Sequence, residues 1–443
     1  PSPTPYKESE MKFSFGKKDE IEKSLDISIP AKDIEDEVNS KLKEAQRSAK
    51  VKGFRKGKAP LDVISKMYGP EIRQDVIYDA VGKEFYSLVE KNDLKPVGRP
   101  NLIPEKIKEN EDVKFKATFE VYPEIQINSL NRITYKKISS SVEDSDVEKT
   151  VESIQKRLGT WEVVEKSAEE SDQVKIDFKG TMAGEEFEGN SAENYPVEIG
   201  SKSMIEGFEE GLVGMKTGDV KSIELTFPED YGKSELAGKP VTFEIKANEV
   251  LTSKLPNLNE ELFQSVGIEA KSEEDFRKEI KSRLEEDLKN LVKNKTKSNL
   301  LDSLEENHEF KIPSAMIDSE VKNMRIDMAR RMGMEEKDIT EEMFPEDTFK
   351  EQAQKRVKIG IILNTIIEEK EFKPDGARVR ELIEERAAMY KDPEQVVNWF
   401  YSNDEQLKNI ESISLEEQVV DYLLDEANSE EEVLTYEECV TGN

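Results

Sequence analysis

Between Arg47 and Pro60 there are six basic residues and no acidic one, in a 443-residue chain whose formal net charge is −31. The run Lys52-Gly53-Phe54-Arg55-Lys56-Gly57-Lys58-Ala59-Pro60 carries two glycines and a proline, which mark a tight turn between helices. Such a loop can do two things at once. Its cations pair with phosphates or carboxylates, and its aromatic ring fills an apolar notch on a partner. A solvated basic loop that touches nothing is the plainer alternative. Other chemistry has few residues to draw on. With one histidine, His308, and one cysteine, Cys439, neither a Cys/His zinc cluster nor a Ser-His-Asp triad nor an internal disulfide is expected. His308, within Glu-Glu-Asn-His-Glu-Phe, reads as a capping or surface residue. A Walker-type Gly-x4-Gly-Lys-Ser/Thr loop for nucleotide phosphates is missing from the sequence, and no cofactor or metal is expected. The acidic balance argues against a general nucleic-acid binder.

The segment Gly53-Phe54-Arg55-Lys56-Gly57-Lys58-Ala59-Pro60 closely resembles the docking motif of trigger factors, a family of ribosome-associated bacterial chaperones. Tyr68-Gly69 and Arg73-Gln74-Asp75-Val76 are similar to that family too. The resemblance implies that Gly53, Phe54, Arg55, Lys56, Gly57 and Lys58 grip the large ribosomal subunit beside the exit tunnel, through ribosomal protein and rRNA.

A longer pattern follows. Gly200-x4-Ile205-x-Gly207-Phe208-Glu209-x-Gly211-Leu212-x-Gly214-Met215-x-x-Gly218-Asp219, then Phe227-Pro228-x-x-Tyr231-Gly232, resembles the FK506-binding-protein fold of prolyl isomerases over residues 159–251. The resemblance implies a pocket lined by Trp161, Phe178, Phe187, Met204, Ile205, Phe208, Tyr231 and Phe243. The Ile205 backbone N–H and the Tyr231 hydroxyl would hold substrate carbonyls, with Glu188 as the single rim acid. For Phe178 and Phe243, filling the core of a small β domain is the alternative. Phe208 stands where small free-standing isomerases usually carry tryptophan, and Glu188 where they carry Asp. Both departures are familiar in trigger factors, so activity is expected to survive, with tight macrolide binding put in question.

The elements that must position these residues are readable from periodicity. Leu25, Ile27 and Ile29 alternate as a strand, and Ile34, Val38, Leu42 and Ala45 recur at helical spacing. Helical segments are expected over 61–68 and 72–91, and a strand over Phe115, Ala117, Phe119 and Val121. Residues 123–158 read as a linker with an extended segment and a short helix, for which Ser141 and Asp144 are candidate caps. Glycine-rich strands dominate 159–251, with one short helix near Ile205–Leu212. After Pro256 the chain reads as helical almost to its end, apart from an acidic tail over 425–438.

In that helical part Met316, Met324, Met328, Met332, Met334 and Met343 crowd together. Methionine suits adaptable binding surfaces, and an ordinary helical core is the alternative. Lys311-Ile312-Pro313-Ser314-Ala315-Met316 and Tyr390-Lys391-Asp392-Pro393 with Phe400-Tyr401 resemble the two arms of trigger factors. The resemblance implies a cradle for unfolded nascent polypeptides, with Met316, Met324, Met328 and Met332 as substrate contacts, and a homodimer when free.

The expected fold is α+β and multidomain. An N-terminal α+β ribosome-binding domain (11–122) is followed by a linker packing on the C-terminal body (123–158). Then come an inserted FKBP-like β domain with one short helix (159–252) and an all-α chaperone body with helical arms (253–443). Residues 1–10 read as a leader or an expression remnant ahead of Met11. No apolar run is long enough to span a membrane and no signal peptide is visible, so a cytoplasmic, ATP-independent chaperone and isomerase is expected. A plain isomerase with recruiting flanks and a pure holdase are the alternatives.

Overall fold

The computed structural model describes residues 21–442 except 106 and 109; Met11 and the expected leader lie outside the described residues. The chain begins β1 (Glu22–Ile29), α1 (Ala31–Ser48), α2 (Leu61–Lys91), β2 (Pro96–Pro104), β3 (Val113–Val121), β4 (Thr134–Ser139) and α3 (Asp144–Leu158). Next come β5 (Thr160–Val163), β6 (Gln173–Met182), β7 (Glu185–Glu198), α4 (Phe208–Leu212), β8 (Val220–Thr226) and β9 (Pro240–Lys254). The rest is α5 (Glu260–Ser265), α6 (Glu273–Glu306), α7 (Ser314–Arg331), α8 (Glu346–Glu369), α9 (Gly376–Ala387) and α10 (Pro393–Ser402), then α11 (Asp404–Glu426), β10 (Asn428–Val433) and α12 (Tyr436–Thr441). These elements pack as two compact units: the described residues up to 137 with 295–431, and residues 138–294 with those from 432 onward. No helix among the described residues is long and apolar enough to cross a membrane.

In the first unit β1, β3 and β2 form an antiparallel sheet, with Leu25 opposite Ala117 and Ile27 opposite Phe115. The alternating residues of β1 and β3 face α1 and α2, whose Ile34, Val38, Val81 and Phe85 close the core. The sequence suggested two helices where α2 runs through Pro70 without a break. Proline removes one helical hydrogen bond at roughly 3 kcal/mol. Ile64 before it and Val76 and Ile77 after it are all buried in the same core, which outweighs that loss. The strand β2 was not legible from alternation, because Pro96, Pro100 and Pro104 interrupt it and its register shifts around Gly98. It is an edge strand, the place where proline is tolerated.

Three further apolar clusters complete this unit. Ile133 and Tyr135 are enclosed by Leu300, Leu304, Ile362, Ile366, Val419 and Leu423. The α7–α8 hairpin closes on Val321, Met324, Phe344, Phe349 and Ala353, and α9 to α11 on Val379, Ile383, Phe400 and Ile410. His308 caps the last turn of α6, one of the two roles expected for it, but it is not at the surface: it is 3% exposed. Its Nδ1–H donates to the Leu304 carbonyl at 2.7 Å, and its Nε2 accepts the Asn128 N–H at 3.0 Å. The C-terminal part is also not purely helical. The acidic residues after α11 present no apolar helical stripe, and they form β10, started by Asn428 N–H on the Ile133 carbonyl at 2.9 Å.

In the second unit β5, β9, β6 and β7 form an antiparallel sheet, and β8 pairs with β9. Val174, Ile176, Val197, Ile199, Val241 and Ile245 point into one core with Phe208 and Leu212 of α4. A separate cluster joins α3, α5 and the first part of α6, where Phe263 and Phe276 stack at 4.3 Å and Cys439 is buried. The N-cap of α3 is Glu143, not Ser141 or Asp144. Its N–H donates to the Asp146 carboxylate at 2.8 Å, while the Ser141 hydroxyl donates to Glu143 at 2.9 Å.

Asp172 ties down the loop before β6. Lys166 Nζ lies 2.8 Å from its carboxylate and the Glu169 N–H donates to it at 2.9 Å. Burial pushes this carboxyl up, but Lys166, the Glu169 amide and the Thr252 hydroxyl together outweigh burial and hold it below the ordinary carboxylate range. A depressed folded pKa stabilises the fold above the unfolded value of about 3.9, and that contribution is lost as pH falls through the folded pKa. Asp172→Asn is therefore expected to destabilise the unit by about 1–3 kcal/mol near neutrality. The gap to wild type should close on acidification below the unfolded pKa, as thermal melts across an acid pH series would show.

Candidate functional site

The aromatic pocket is assembled from β6, β7, β9 and α4. Phe178 of β6 meets Phe208 at 5.8 Å and Phe243 of β9 at 5.8 Å, and Phe208 meets Phe243 at 5.2 Å. All three contacts are edge-to-face, the arrangement that ring quadrupoles favour. Phe187 meets Phe227 at 6.0 Å, and Phe227 meets Tyr231 at 4.8 Å. Met204 and Ile205 pack on the same cluster.

Two glycines shape this cluster. At Gly180 a Cβ would lie 2.7 Å from Phe243 Cε1 and 3.1 Å from Phe187 Cζ, so only glycine lets both rings cross the strand. Gly207, which caps α4, has φ +87°, and a Cβ there would lie 2.7 Å from Leu225 Cδ2. This left-handed turn, unfavourable for residues with a side chain, delivers Phe208 to the pocket as the first residue of α4.

Exposure grades across the cluster. Phe208 is fully enclosed, Phe178 and Phe187 are half-buried, and Tyr231 reaches solvent. The Ile205 carbonyl accepts the Phe208 N–H at 3.1 Å, whereas its own N–H donates to no group among the described residues. The Tyr231 hydroxyl likewise has no hydrogen-bond partner among them, and the Tyr231 N–H closes a turn on the Pro228 carbonyl at 3.1 Å. Glu188 is exposed on β7. The result is an apolar aromatic cluster with two unpaired donors, the Ile205 N–H and the Tyr231 hydroxyl, on residues that pack against it.

Of the expected pocket residues, the structure does not bring Trp161 to this group. It sits on β5 opposite Ser253, ten residues along β9 from Phe243, or roughly 30 Å of strand. Two members were missed. Tyr195 meets Phe178 edge-on at 6.0 Å, and Phe227 bridges Phe187 and Tyr231. The signal for Tyr195 was its alternation with Val197 and Ile199, and Phe227 lay inside the motif itself.

The basic loop between α1 and α2 is two successive turns. Phe54 N–H donates to the Val51 carbonyl at 3.1 Å and Lys58 N–H to the Arg55 carbonyl at 2.9 Å. The third residue of each turn is a left-handed glycine, Gly53 at φ +92° and Gly57 at φ +76°. Gln46 Nε2 anchors the far end on the Ala59 carbonyl at 2.7 Å, and Ala59 is buried in the core. The tip is thus rigidly mounted. It presents Phe54 at 44% exposure beside Arg55, Lys56 and Lys58, and none of these cations is paired to a carboxylate among the described residues.

The expected methionine contacts divide. Met324 is buried in the α7–α8 core, so it packs the hairpin and does not face a client. Met316 is half-buried, while Met328 and Met332 are exposed, as are Met343, Met389, Tyr390, Trp399 and Tyr401.

Comparison with known proteins comes to the same regions. Residues 11–154 match the family model described as "Bacterial trigger factor protein (TF)", and residues 272–425 match "Bacterial trigger factor protein (TF) C-terminus". Residues 164–251 match "FKBP-type peptidyl-prolyl cis-trans isomerase". A protein named Trigger factor from Cellvibrio japonicus (strain Ueda107) is 39% identical over 421 residues, covering 95% of this chain and 96% of the relative. One of the same name from Hahella chejuensis (strain KCTC 2396) is 39% identical over 430 residues, covering 97% and 96%. A solved trigger factor chaperone, studied for promiscuous substrate recognition, shares 22% identity and a TM-score of 0.47 over 94% of this chain and 100% of that one.

Proposed function

This chain belongs to the trigger factor family, and on that premise we propose that its basic loop docks it at the ribosomal exit tunnel while its aromatic pocket isomerises prolyl bonds in the emerging polypeptide. It is a chaperone that carries an FKBP-type prolyl isomerase domain. The division of labour follows the expected domains: docking in 11–122, isomerisation in 159–252, and client holding in the helical 253–443 with the 123–158 segment as its support. Phe54 would enter a notch on ribosomal protein, and Arg55, Lys56 and Lys58 would pair with rRNA phosphates or acidic side chains. The protein acts in the cytoplasm, and self-association when free is part of the same reading.

The observation that carries the isomerase reading is the Phe178–Phe208–Phe243 floor with the Ile205 N–H and Tyr231 hydroxyl free at its edge. Rotation about a prolyl amide is opposed by a barrier of about 18–20 kcal/mol from resonance. The twisted transition state has lost that resonance and is the less polar species, so an apolar floor favours it over the planar amide. Donors on the flanking carbonyls hold the chain while the bond turns, and Glu188 stands at the rim. No nucleophile is required. The exposed Met328, Met332, Met389, Tyr390 and Trp399 supply adaptable apolar contacts for unfolded clients.

The test is a paired assay without nucleotide. The chain is expected to accelerate cis–trans exchange of a prolyl peptide and to suppress aggregation of a diluted, denatured client. A chain that held the client yet left peptide exchange at its uncatalysed rate would be a pure holdase, and the pocket reading would fall.

A further inference from the structure

Asp177 lies between two irregularities of the sheet. Against β7 the register runs from Ile176 opposite Tyr195 to Phe178 opposite Ala192, so Glu193 and Asn194 together face Asp177 as a bulge. Against β9 it runs from Lys175 opposite Glu249 to Ile176 opposite Ala247, which leaves Asn248 bulged on the other side. One carboxylate oxygen serves both. Asp177 Oδ1 accepts the Asn194 backbone N–H at 2.7 Å and the Asn248 side-chain Nδ2–H at 2.7 Å.

The β7 bulge places Asn194 at φ +51°, a left-handed conformation that asparagine tolerates better than most residues with a side chain, and the bond from its N–H to Asp177 holds it there. The residue after it is Tyr195, whose ring stands edge-on to Phe178 at 6.0 Å, and Phe178 is the residue after Asp177. The carboxylate is thus one residue from each ring. Because successive side chains of a strand point to opposite faces, Asp177 itself faces away from the pocket.

We propose that Asp177 is a positioning residue of the isomerase: it locks the β7 and β9 bulges and so sets the Phe178–Tyr195 pair that walls one side of the prolyl pocket. The inference rests on the aromatic cluster being the prolyl site. The charge suits the task, since an anion accepts two donors more strongly than a neutral oxygen does. The Asn194 amide foremost, then Asn248, hold this carboxyl below its ordinary range, with Lys246 of β9 adding to them, so it is ionised at neutral pH. On the same face of β6, Lys175 is paired with Glu249 of β9 and Lys179 with Glu186 of β7, and Glu193 of β7 is exposed.

The experiment uses the full chain with asparagine labelled by ¹⁵N and compares wild type, Asp177→Ala, Asp177→Asn and Phe208→Ala. Two quantities are read at a temperature where thermal melts show every variant folded: the Asn194 amide resonance and the steady-state exchange of a prolyl peptide. Asp177→Ala is expected to shift the Asn194 amide upfield as it loses its anionic acceptor, and to lower kcat/KM about tenfold. Asp177→Asn, which keeps an acceptor oxygen, should restore most of the activity. The proposal is overturned if Asp177→Ala displaces the Asn194 amide yet keeps kcat/KM within a factor of about two of wild type. It is equally overturned if Asp177→Asn is as slow as Asp177→Ala. Phe208→Ala separates the two readings: if it alone loses activity the pocket stands and the role of Asp177 falls, and if it too stays active the pocket itself is misassigned.

Discussion

Phe208→Ala is expected to lower kcat/KM for a prolyl peptide by about 100-fold, the scale on which a misplaced reacting group fails. Phe208 is fully buried, and it is the ring that both Phe178 and Phe243 lean upon. Its removal takes away the apolar floor on which the twisted amide is preferred to the planar one. It also opens a cavity, and a buried Phe→Ala change destabilises by about 3–5 kcal/mol. Lost activity could therefore reflect lost folding. Phe208→Leu separates the two effects. It keeps an apolar floor at a smaller loss of stability and removes only the edge-to-face contacts, so a folded protein with an intermediate rate is expected. Tyr231→Phe completes the series, because it deletes a hydroxyl with no internal partner and leaves the core untouched. A slower rate at unchanged melting temperature is expected there, read by the same peptide exchange assay.

The docking loop carries the second large effect, and its ring and its cations should behave differently. Phe54 is held out by two hydrogen-bonded turns with glycine in the left-handed position of each, so little ordering is left to do on binding. An exposed aromatic anchor of this kind typically contributes about 2 kcal/mol or more at the centre of an interface. Phe54→Ala should weaken ribosome binding at every salt concentration alike. Arg55→Ala and Lys56→Ala should weaken it most at low salt, and each phosphate contact removed should reduce the slope of log affinity against log salt by about one.

Much of this was legible in the sequence wherever the signal is local. The alternation of Leu25, Ile27 and Ile29 gave β1, and the glycine-rich motif gave the turn that presents Phe208. The basic loop was visible because its charge opposes that of the whole chain. What escaped depends on distant partners. Pro70 looks like a helix end until the buried residues on both sides of it share one core. Its three prolines hid β2, although an edge strand tolerates them. His308 looked peripheral because its amide partner, Asn128, is 180 positions away in sequence. Trp161 and Met324 carry the right side chains for the roles expected of them. Strand register removes the first from the pocket, and the helical face turns the second into the hairpin core.

The central claim is that this chaperone works docked on the ribosome, and co-sedimentation with salt-washed bacterial ribosomes tests it most directly. Wild type and the Phe54/Arg55/Lys56→Ala variant would be compared across a salt series. Wild type should pellet with ribosomes at low salt and be released progressively as salt rises, while the variant stays in the supernatant throughout. Equal pelleting of both proteins, or of neither, would contradict the account and leave a free prolyl isomerase in its place.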